Sequence, residues 1–182
     1  MKKLLVILAI LGVAVFTIGD AHAIRSIGFG AGYASPDNID GTWTAGLYMD
    51  FGVPVTNLYV QPFVNYWSWE ESAAAGGQSA SASISDWTVG GNLKYVIPTA
   101  APKFRPYLQG GVAAHLMTAE TQINLFGSAQ DFSVSDTKVG FQLGAGAAFD
   151  LTERFALFGQ GSYHIVQDFN QWMAGGGVQI NL

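Results

Sequence analysis

The sequence of 182 residues contains no cysteine. A disulfide-stabilised domain is therefore excluded, and so is a lipoprotein, whose lipid is attached to a cysteine. Charged residues are also scarce, because they make up 12% of the chain against about 25% in typical soluble domains. A water-facing surface ordinarily carries more charge than this. The two shortages disfavour an ordinary soluble domain.

Basic residues are the rarer of the two charged classes. The chain has 8 Lys and Arg against 13 Asp and Glu, for a formal net charge of −5 at pH 7. Nucleic-acid binding needs clustered Lys and Arg to neutralise phosphates, and the chain has no such cluster. We expect no nucleic-acid partner.

Long hydrophobic runs are absent beyond the N-terminal region. Two lysines precede an apolar run from Leu4 to Ile18, and the small residues Ala21 and Ala23 then form the pattern of a secretory cleavage site. An uncleaved membrane anchor is the alternative, but the run is shorter than the roughly 20 residues that a spanning helix needs. We predict a signal peptide at residues 1–23, export through the general secretory pathway, and a mature chain that begins at Ile24.

The sequence is instead rich in glycine, with 23 residues, and in segments that alternate between apolar and small or polar residues. Alternation with a period of two is typical of β-strands. Eight segments have this pattern: Ser26–Tyr33, Thr42–Phe51, Leu58–Trp69, Asp86–Ile97, Tyr107–Leu116, Lys138–Phe149, Ala156–Ile165 and Gln171–Leu182. The sequence therefore predicts an all-β fold, an eight-stranded antiparallel up-and-down barrel at residues 24–182.

The predicted connections differ in length. Tight turns are expected near residues 52–57, 98–103 and 150–154, and longer polar loops at 35–41, 70–85, 118–136 and 166–170. An even strand number places both chain ends on the side of the tight turns. The Ser- and Ala-rich stretch at 72–85 predicts a flexible, exposed loop, with an adhesive epitope as the alternative.

Composition indicates which face of the barrel meets lipid. The polar row is mostly Gly, Ser, Thr, Gln, Asn and Ala, which suits a narrow interior better than a water-facing surface. We predict a transmembrane barrel whose lumen is lined by Gln61, Asn65, Asn92, Lys94, Gln109, His115, Lys138, Gln142, Gln160, His164 and Gln179. Aromatic residues cluster at the strand ends, as the membrane interfaces select. The predicted belts contain Trp43, Trp67, Trp69, Trp87, Trp172, Tyr95 and Tyr107.

Three stretches resemble a known family. The segments Phe104–Val112, with its basic-Pro-Tyr start, and Gly140–Gly146 resemble strands of the small OmpA/OmpX-like outer-membrane β-barrels. The ending Gly177, Val178, Ile180 and Leu182 is similar to the family's C-terminal assembly signal, with Leu182 where Phe is commonest. The resemblance covers residues 24–182.

The resemblance implies a location in the bacterial outer membrane. Its implied partners are outer-membrane lipid, lipopolysaccharide and, during biogenesis, the barrel assembly machinery. No sequence follows the predicted barrel, so we expect no peptidoglycan-binding domain like that of the longer family members. Barrels of this group often hold Glu and Arg pairs inside, whereas the corresponding row here has Gln160, Ser162 and His164. An internal salt bridge is therefore not expected.

Possible chemical sites have simpler interpretations. His115 and His164 are too few for a zinc site, and Ser162 precedes His164, the reverse of the order in lipid-A deacylase barrels. The glycines at 28–32 precede no helix that could bind phosphate, and the acidic run at 37–41 lacks calcium-loop spacing and favours a turn. We expect no catalytic residue, metal or cofactor.

The sequence favours a non-enzymatic outer-membrane barrel that contributes to envelope integrity and to surface-loop interactions. A small-molecule channel or carrier through the lumen is the alternative, and a lipid-modifying enzyme is a third hypothesis. Acidic residues gather toward the loop side, so we hypothesise that they meet lipopolysaccharide through divalent cations. The sequence identifies no surface-loop partner.

Overall fold

The computed structural model describes residues 24–37, 39–75, 78–125, 128–167 and 169–182. These residues form eight strands: β1 (Ile24–Pro36), β2 (Thr42–Gly52), β3 (Leu58–Ala75), β4 (Gln78–Val96), β5 (Phe104–Leu125), β6 (Ser128–Asp150), β7 (Phe155–Val166) and β8 (Gln171–Asn181). The predicted signal peptide, with Ala21 and Ala23, lies outside the described residues. Within the described part of the chain no helix is long and apolar enough to cross a membrane.

The strands form one closed antiparallel barrel in sequence order. Each strand pairs with its neighbours along the chain, and β8 returns to β1 from Ser26 opposite Asn181 to Pro36 opposite Gln171. Closure leaves no unpaired strand edge in the wall, as a hydrocarbon environment requires. The predicted eight-stranded barrel is confirmed, and Gln61 and Asn65 of β3 are buried inside it as predicted.

The outer wall is apolar and exposed. Phe141 is 67% exposed, Leu143 66% and Leu93 57%, and their neighbours in the chain point inward. In water such a surface would drive aggregation, whereas in a bilayer it is the surface that contacts lipid.

Two predicted loops are strands instead. Residues 70–75 and 78–85 continue the β3–β4 hairpin as far as the pair Ala75 and Gln78, and residues 118–125 and 128–136 continue the β5–β6 hairpin as far as the pair Leu125 and Ser128. The prediction of a flexible loop is therefore wrong for residues 72–75 and 78–85, which are paired strands. The Ser and Ala residues there alternate with a strand period, but their low hydrophobicity concealed it.

The two extended hairpins pair with each other, as Ser79 opposite Asn124 illustrates. Pairing of β3 with β2 ends at Trp67, and pairing of β6 with β7 begins only at Gly140. Residues 68–75, 78–85, 117–125 and 128–137 therefore form a four-stranded sheet that rises above the barrel mouth, called here the projecting sheet.

The barrel lumen as candidate functional site

A buried ion pair lies in the turn-side half of the lumen. Lys94 Nζ on β4 is 2.9 Å from Asp50 Oδ2 on β2, and both side chains are less than a tenth exposed. Asp50 also accepts hydrogen bonds from Ser26 Oγ at 2.9 Å and Gln61 Nε2 at 2.8 Å. The ammonium lies 4.3 Å from the ring centroid of Tyr107. Buried charges are costly unless they are paired and hydrogen-bonded, and this pair is both.

The ion pair corrects a sequence expectation. An internal salt bridge is not expected from the inward row of β7, which carries no charge. The partners come instead from β2 and β4, which are not neighbours in the sheet and meet only because their side chains cross the closed lumen. Asp50 is on the inward phase of β2, but nothing in the sequence pairs it with Lys94.

Amide side chains extend this network across the middle of the lumen. Asn92 Nδ2 donates to Gln61 Oε1 at 3.2 Å, and Gln142 Nε2 donates to Asn92 Oδ1. Nearby, Tyr107 Oη donates to Gln160 Oε1 at 3.1 Å. Strands β3, β4 and β6 are thereby linked through the interior as well as along the wall.

Aromatic rings occupy the space that the inward glycines leave. A Cβ atom on Gly30 would lie 3.0 Å from the ring of Phe158, and one on Gly146 would lie 2.5 Å from Tyr107 Oη. Tyr48 contacts Phe158 edge to face, with ring centroids 5.7 Å apart. The glycines therefore accommodate large neighbours and do not open a pore.

The cavities that remain are small. Two cavities in the inner lumen measure about 30 Å³ and about 10 Å³, and a larger one of about 200 Å³ lies toward the tight turns beside Arg25 and Arg105. A single buried water needs about 10 to 15 Å³. The inner cavities hold a few waters at most.

A second polar cluster lies in the loop-side half. His115 Nδ1 is 2.7 Å from Asp86 Oδ2, and Thr88 Oγ1 donates to the same carboxylate oxygen at 2.9 Å. The ring of His115 meets the edge of His164 at a centroid distance of 5.4 Å, and His164 Nε2 is 3.1 Å from Ser162 Oγ. These residues join β4, β5 and β7 in one layer.

An apolar cap closes the barrel above this layer. Its buried members are Ala34, Trp67, Val166, Phe169 and Met173, and Ile39, Trp69, Ile84 and Met117 pack against them. Trp67 is fully buried and stacks on Phe169 at a centroid distance of 6.2 Å. The lumen is therefore polar in its middle and sealed at its loop-side end by hydrophobic contact.

Closed topology, an apolar wall and a filled polar lumen together define a small membrane barrel. The family model described as outer membrane protein beta-barrel domain matches residues 4–182. The chain belongs to this family. No curated protein is significantly similar to the sequence.

Solved structures share the fold at low sequence identity. Neisserial surface protein A is 17% identical, with 90% of this chain and 100% of that chain covered and a TM-score of 0.59. The N-terminal barrel domain of Pseudomonas aeruginosa OprF is 18% identical, with 87% and 98% covered and a TM-score of 0.53. A major outer membrane protein from Thermus thermophilus is 13% identical, with 88% and 100% covered and a TM-score of 0.62.

The residues of the predicted aromatic belts lie in two different places in the barrel. Trp43, Trp87, Trp172 and Tyr95 are on the outer wall, at 77%, 51%, 47% and 43% exposure. For Trp67 and Tyr107 the prediction is wrong, because both are buried in the lumen, and Trp69 packs on the cap. The prediction used position at strand ends, whereas strand phase decides the direction of a side chain.

Most of the predicted lumen residues lie inside the barrel. The buried ones are Gln61, Asn65, Asn92, Lys94, Gln109, His115, Gln142, His164 and Gln179. Gln160 and Lys138 are half-buried, and Lys138 Nζ donates to the carbonyl of Gln167 at 3.2 Å near the mouth. Buried polar residues outside the predicted set are Ser26, Asp50, Asp86, Thr88 and Gln171. Their inward phase was the signal that could have identified them.

The predicted assembly-signal residues lie on β8. Val178 pairs with Phe29 of β1 and with Leu157 of β7, and the backbone N–H of Leu182 donates to the carbonyl of Arg25 at 2.9 Å. Gly177 and Ile180 lie in the same ladders. Their recognition by an assembly machinery stays a prediction.

Several buried polar atoms in the loop-side half of the lumen have no hydrogen-bond partner among the described residues. They are Asp86 Oδ1, His115 Nε2, His164 Nδ1, Gln171 Oε1 and Trp67 Nε1. Across the described part of the chain, no group of three or more His, Asp or Glu is placed to hold a metal ion. The contact of His164 with Ser162 uses Nε2, and Nδ1 of the same ring has no hydrogen-bond partner among the described residues that would orient it.

Proposed function

We propose that the protein is a non-enzymatic integral barrel of the bacterial outer membrane that contributes to envelope integrity and presents its two long hairpins at the cell surface. The observation that carries the proposal is the filled lumen, with its cross-strand network around Asp50 and Lys94. Side-chain contacts that cross the interior stabilise the wall and leave small cavities between the described residues of the inner lumen.

The filled lumen weighs against the channel alternative. The inner cavities of about 30 and 10 Å³ are far smaller than a solute, and the cap around Trp67 covers the loop-side end. Passage would require the cap and the ion-pair layer to separate together.

Conductance across planar lipid bilayers tests this proposal. We expect the natural protein to show no stable, porin-sized steps. The double variant Tyr107→Ala with Phe158→Ala should admit small currents, because it removes two rings from the lumen. The matched control Leu108→Ala with Leu157→Ala changes neighbouring outward side chains and should stay silent. Reproducible large steps in the natural protein would refute the structural role and favour a channel.

The absence of catalysis is part of the proposal. Ser162 and His164 are in contact, but both lie on the inward row of β7 and His164 is 1% exposed, so the pair does not face lipid at the outer wall. We expect purified protein to release no fatty acid from lipid A or phospholipid. Hydrolysis that is abolished by Ser162→Ala would contradict this expectation.

Export through the secretory pathway is also proposed. The small residues Ala21 and Ala23 form the pattern of a secretory cleavage site, and a chain cleaved after Ala23 would begin at Ile24 of β1. Mass spectrometry of outer-membrane fractions should identify a mature N-terminus at Ile24. A mature chain that retains residues 1–23 would refute the processing scheme.

The polar outer face of the projecting sheet supports lipopolysaccharide as a partner. Glu70 and Glu120 flank Ser83 on one rung of this face, where divalent cations would link carboxylates to lipid phosphates. We expect the barrel to be more stable in lipopolysaccharide bilayers with magnesium than after chelation. Equal stability in both conditions would exclude cation-mediated contact.

A further inference from the structure

The two faces of the β-sheet exchange polarity above the barrel mouth. In the wall, outward side chains are mostly apolar, and inward residues are mostly polar or glycine, with a few aromatic rings between them. In the projecting sheet the outward rows are polar: Ser68, Ser85, Thr118 and Ser135, then Glu70, Ser83, Glu120 and Ser133, then Ser72, Ser81, Gln122 and Asp131. The register continues without a shift through these pairs, so the exchange comes from the sequence and not from a bulge.

The inner face of the projecting sheet is correspondingly apolar. One rung across it consists of Trp69, Ile84, Ala119 and Val134, the next of Glu71, Ala82, Thr121 and Phe132, and the third of Ala73, Ala80, Ile123 and Gln130. Three alanines, Ala80, Ala82 and Ala119, lie on the central strands, and larger side chains lie at the base and along β6. This inner face is called here the trough.

Only the base of this trough is covered. Ile39 and Phe169, from the two short loops, pack with Trp69, Ile84 and Met117 in the cap. Higher up, Phe132 is 58% exposed and Val134 is 69% exposed. Water-exposed apolar groups of this size on a protein surface mark interaction sites.

The dimensions of the trough suit one helix. Four strands at about 4.8 Å spacing span about 14 Å, and eight residues of strand extend about 27 Å. An α-helix with its side chains is about 10 to 12 Å wide. A helix of three or four turns can lie along the strands with one face against the sheet, a recurring mode of peptide recognition.

The charges of the projecting sheet specify the sign of the partner. Its charged residues are Glu70, Glu71, Glu120, Asp131 and Asp136, and none of its described residues is Lys or Arg. Glu71 on β3 lies at the edge of the second rung, Asp136 on β6 lies one rung below Val134, opposite Met117, and both are exposed residues of the inner face. A second copy of the chain would bring like charges together, and an anionic lipid without bridging cations would also be repelled from the inner face.

We propose that the inner face of the projecting sheet is a docking site for a cationic amphipathic helical peptide. The peptide's apolar face would cover Phe132, Val134 and the alanine rows, and its Lys or Arg residues would approach Glu71 and Asp136. The inference rests on the proposed function only in placing the hairpins outside the cell.

Fluorescence anisotropy of a labelled 14-residue Leu/Lys amphipathic helix tests the proposal. The protein is held in phosphatidylcholine nanodiscs, and binding to empty nanodiscs is subtracted. We expect saturable binding that weakens with salt. A Leu/Glu helix of the same pattern should bind at least tenfold more weakly. Equal binding of the two helices would overturn the proposal.

Matched variants locate the binding face. Phe132→Ser with Val134→Ser on the inner face should reduce affinity at least tenfold, whereas Ser133→Ala with Ser135→Ala on the outer face should not change it. Glu71→Gln with Asp136→Asn should reduce affinity and its salt dependence, in contrast to Glu70→Gln with Glu120→Gln. Equal losses from the two faces would overturn the proposal.

Three further measurements keep these outcomes decisive. Heat-modifiable migration in gels shows whether each variant forms the barrel, and all substituted positions lie above the closed wall. Native mass spectrometry of nanodiscs without peptide shows whether a second chain or a lipid is retained in a Phe132-dependent manner, which would assign the trough to that occupant. Conductance measured in parallel reports on the proposed function separately from peptide binding.

Discussion

Side chains alternate between the two faces in the same way in both halves of β6, although one half lies in the wall and the other lies in the projecting sheet. In the wall the outward residue Leu143 is 66% exposed, and in the projecting sheet the outward residue on the same strand is Ser133. Alternation specifies only that neighbours point to opposite faces. The medium on each side decides which face is apolar, and the exchange of polarity marks the level at which the hydrocarbon ends.

The interiors of the two regions differ in the same way. Inside the barrel, Asp50 and Lys94 are buried and satisfied by each other and by neighbouring side chains. On the same inward phase above the mouth, Glu71 is exposed beside apolar neighbours. A charge is therefore part of the packed structure in one region and is free to meet water or a ligand in the other.

The largest expected effect comes from removing one partner of the buried ion pair. Lys94→Met leaves the Asp50 carboxylate buried without its counter-charge, which should cost about 3 to 5 kcal/mol of unfolding free energy. Reversible urea unfolding in lipid vesicles measures the loss. The corresponding inward change above the mouth, Glu71→Leu, should alter stability by less than about 0.5 kcal/mol.

A compensating variant sharpens this comparison. Asp50→Leu combined with Lys94→Met replaces the pair by apolar groups and should recover much of the loss, because no unpaired charge remains. If Lys94→Met and Glu71→Leu had equal effects, the two interiors would not differ as described.

A smaller effect is expected from a charge on the outward phase of β6. Leu143→Arg places a guanidinium against hydrocarbon and should cost about 2 to 4 kcal/mol near the midplane. Ser133→Arg puts the same side chain on the same face of the same strand in water and should be close to neutral. Refolding into lipid vesicles at several urea concentrations measures both. Similar penalties would mean that the bilayer extends over the projecting sheet.

Most of the wall was predictable, because its alternation has large amplitude. In β6, Val139, Phe141 and Leu143 alternate with small or polar residues. This pattern predicts the strand, the direction of each side chain and the residues that line the lumen. The family match confirms the resemblance that the strand motifs suggested. Where one face contacts lipid and the other faces a packed lumen, the difference in polarity between the two faces is visible in the local sequence.

The projecting sheet was not predictable by the same argument. Ser79, Ala80, Ser81 and Ala82 alternate correctly, but serine and alanine differ too little in polarity to distinguish a strand from a flexible loop. The pairing of β4 with β5 there stabilises the strands, and that contact is not local in sequence. The burial of Trp67 was missed for a different reason, since its position near a strand end suggested an interface although its phase is inward.

The ion pair was beyond prediction because it depends on closure. Asp50 and Lys94 are 44 residues apart and lie on strands separated by β3. The two side chains are within reach of each other only in the closed barrel, where they cross the lumen.

The smallest expected effect comes from shortening the projecting sheet. Replacing residues 72–81 by Asn-Gly joins Glu71 to Ala82, its partner in the ladder, through a two-residue turn that suits a hairpin. Since the removed pairs lie above the wall, the unfolding free energy should change by less than about 1 kcal/mol. Deleting Gly111 alone from β5 removes one residue within the wall and turns an apolar row inward, so this control should abolish the heat-modifiable barrel. A truncated protein that fails to refold would show that the projecting sheet is required to form the barrel and does not simply extend from it.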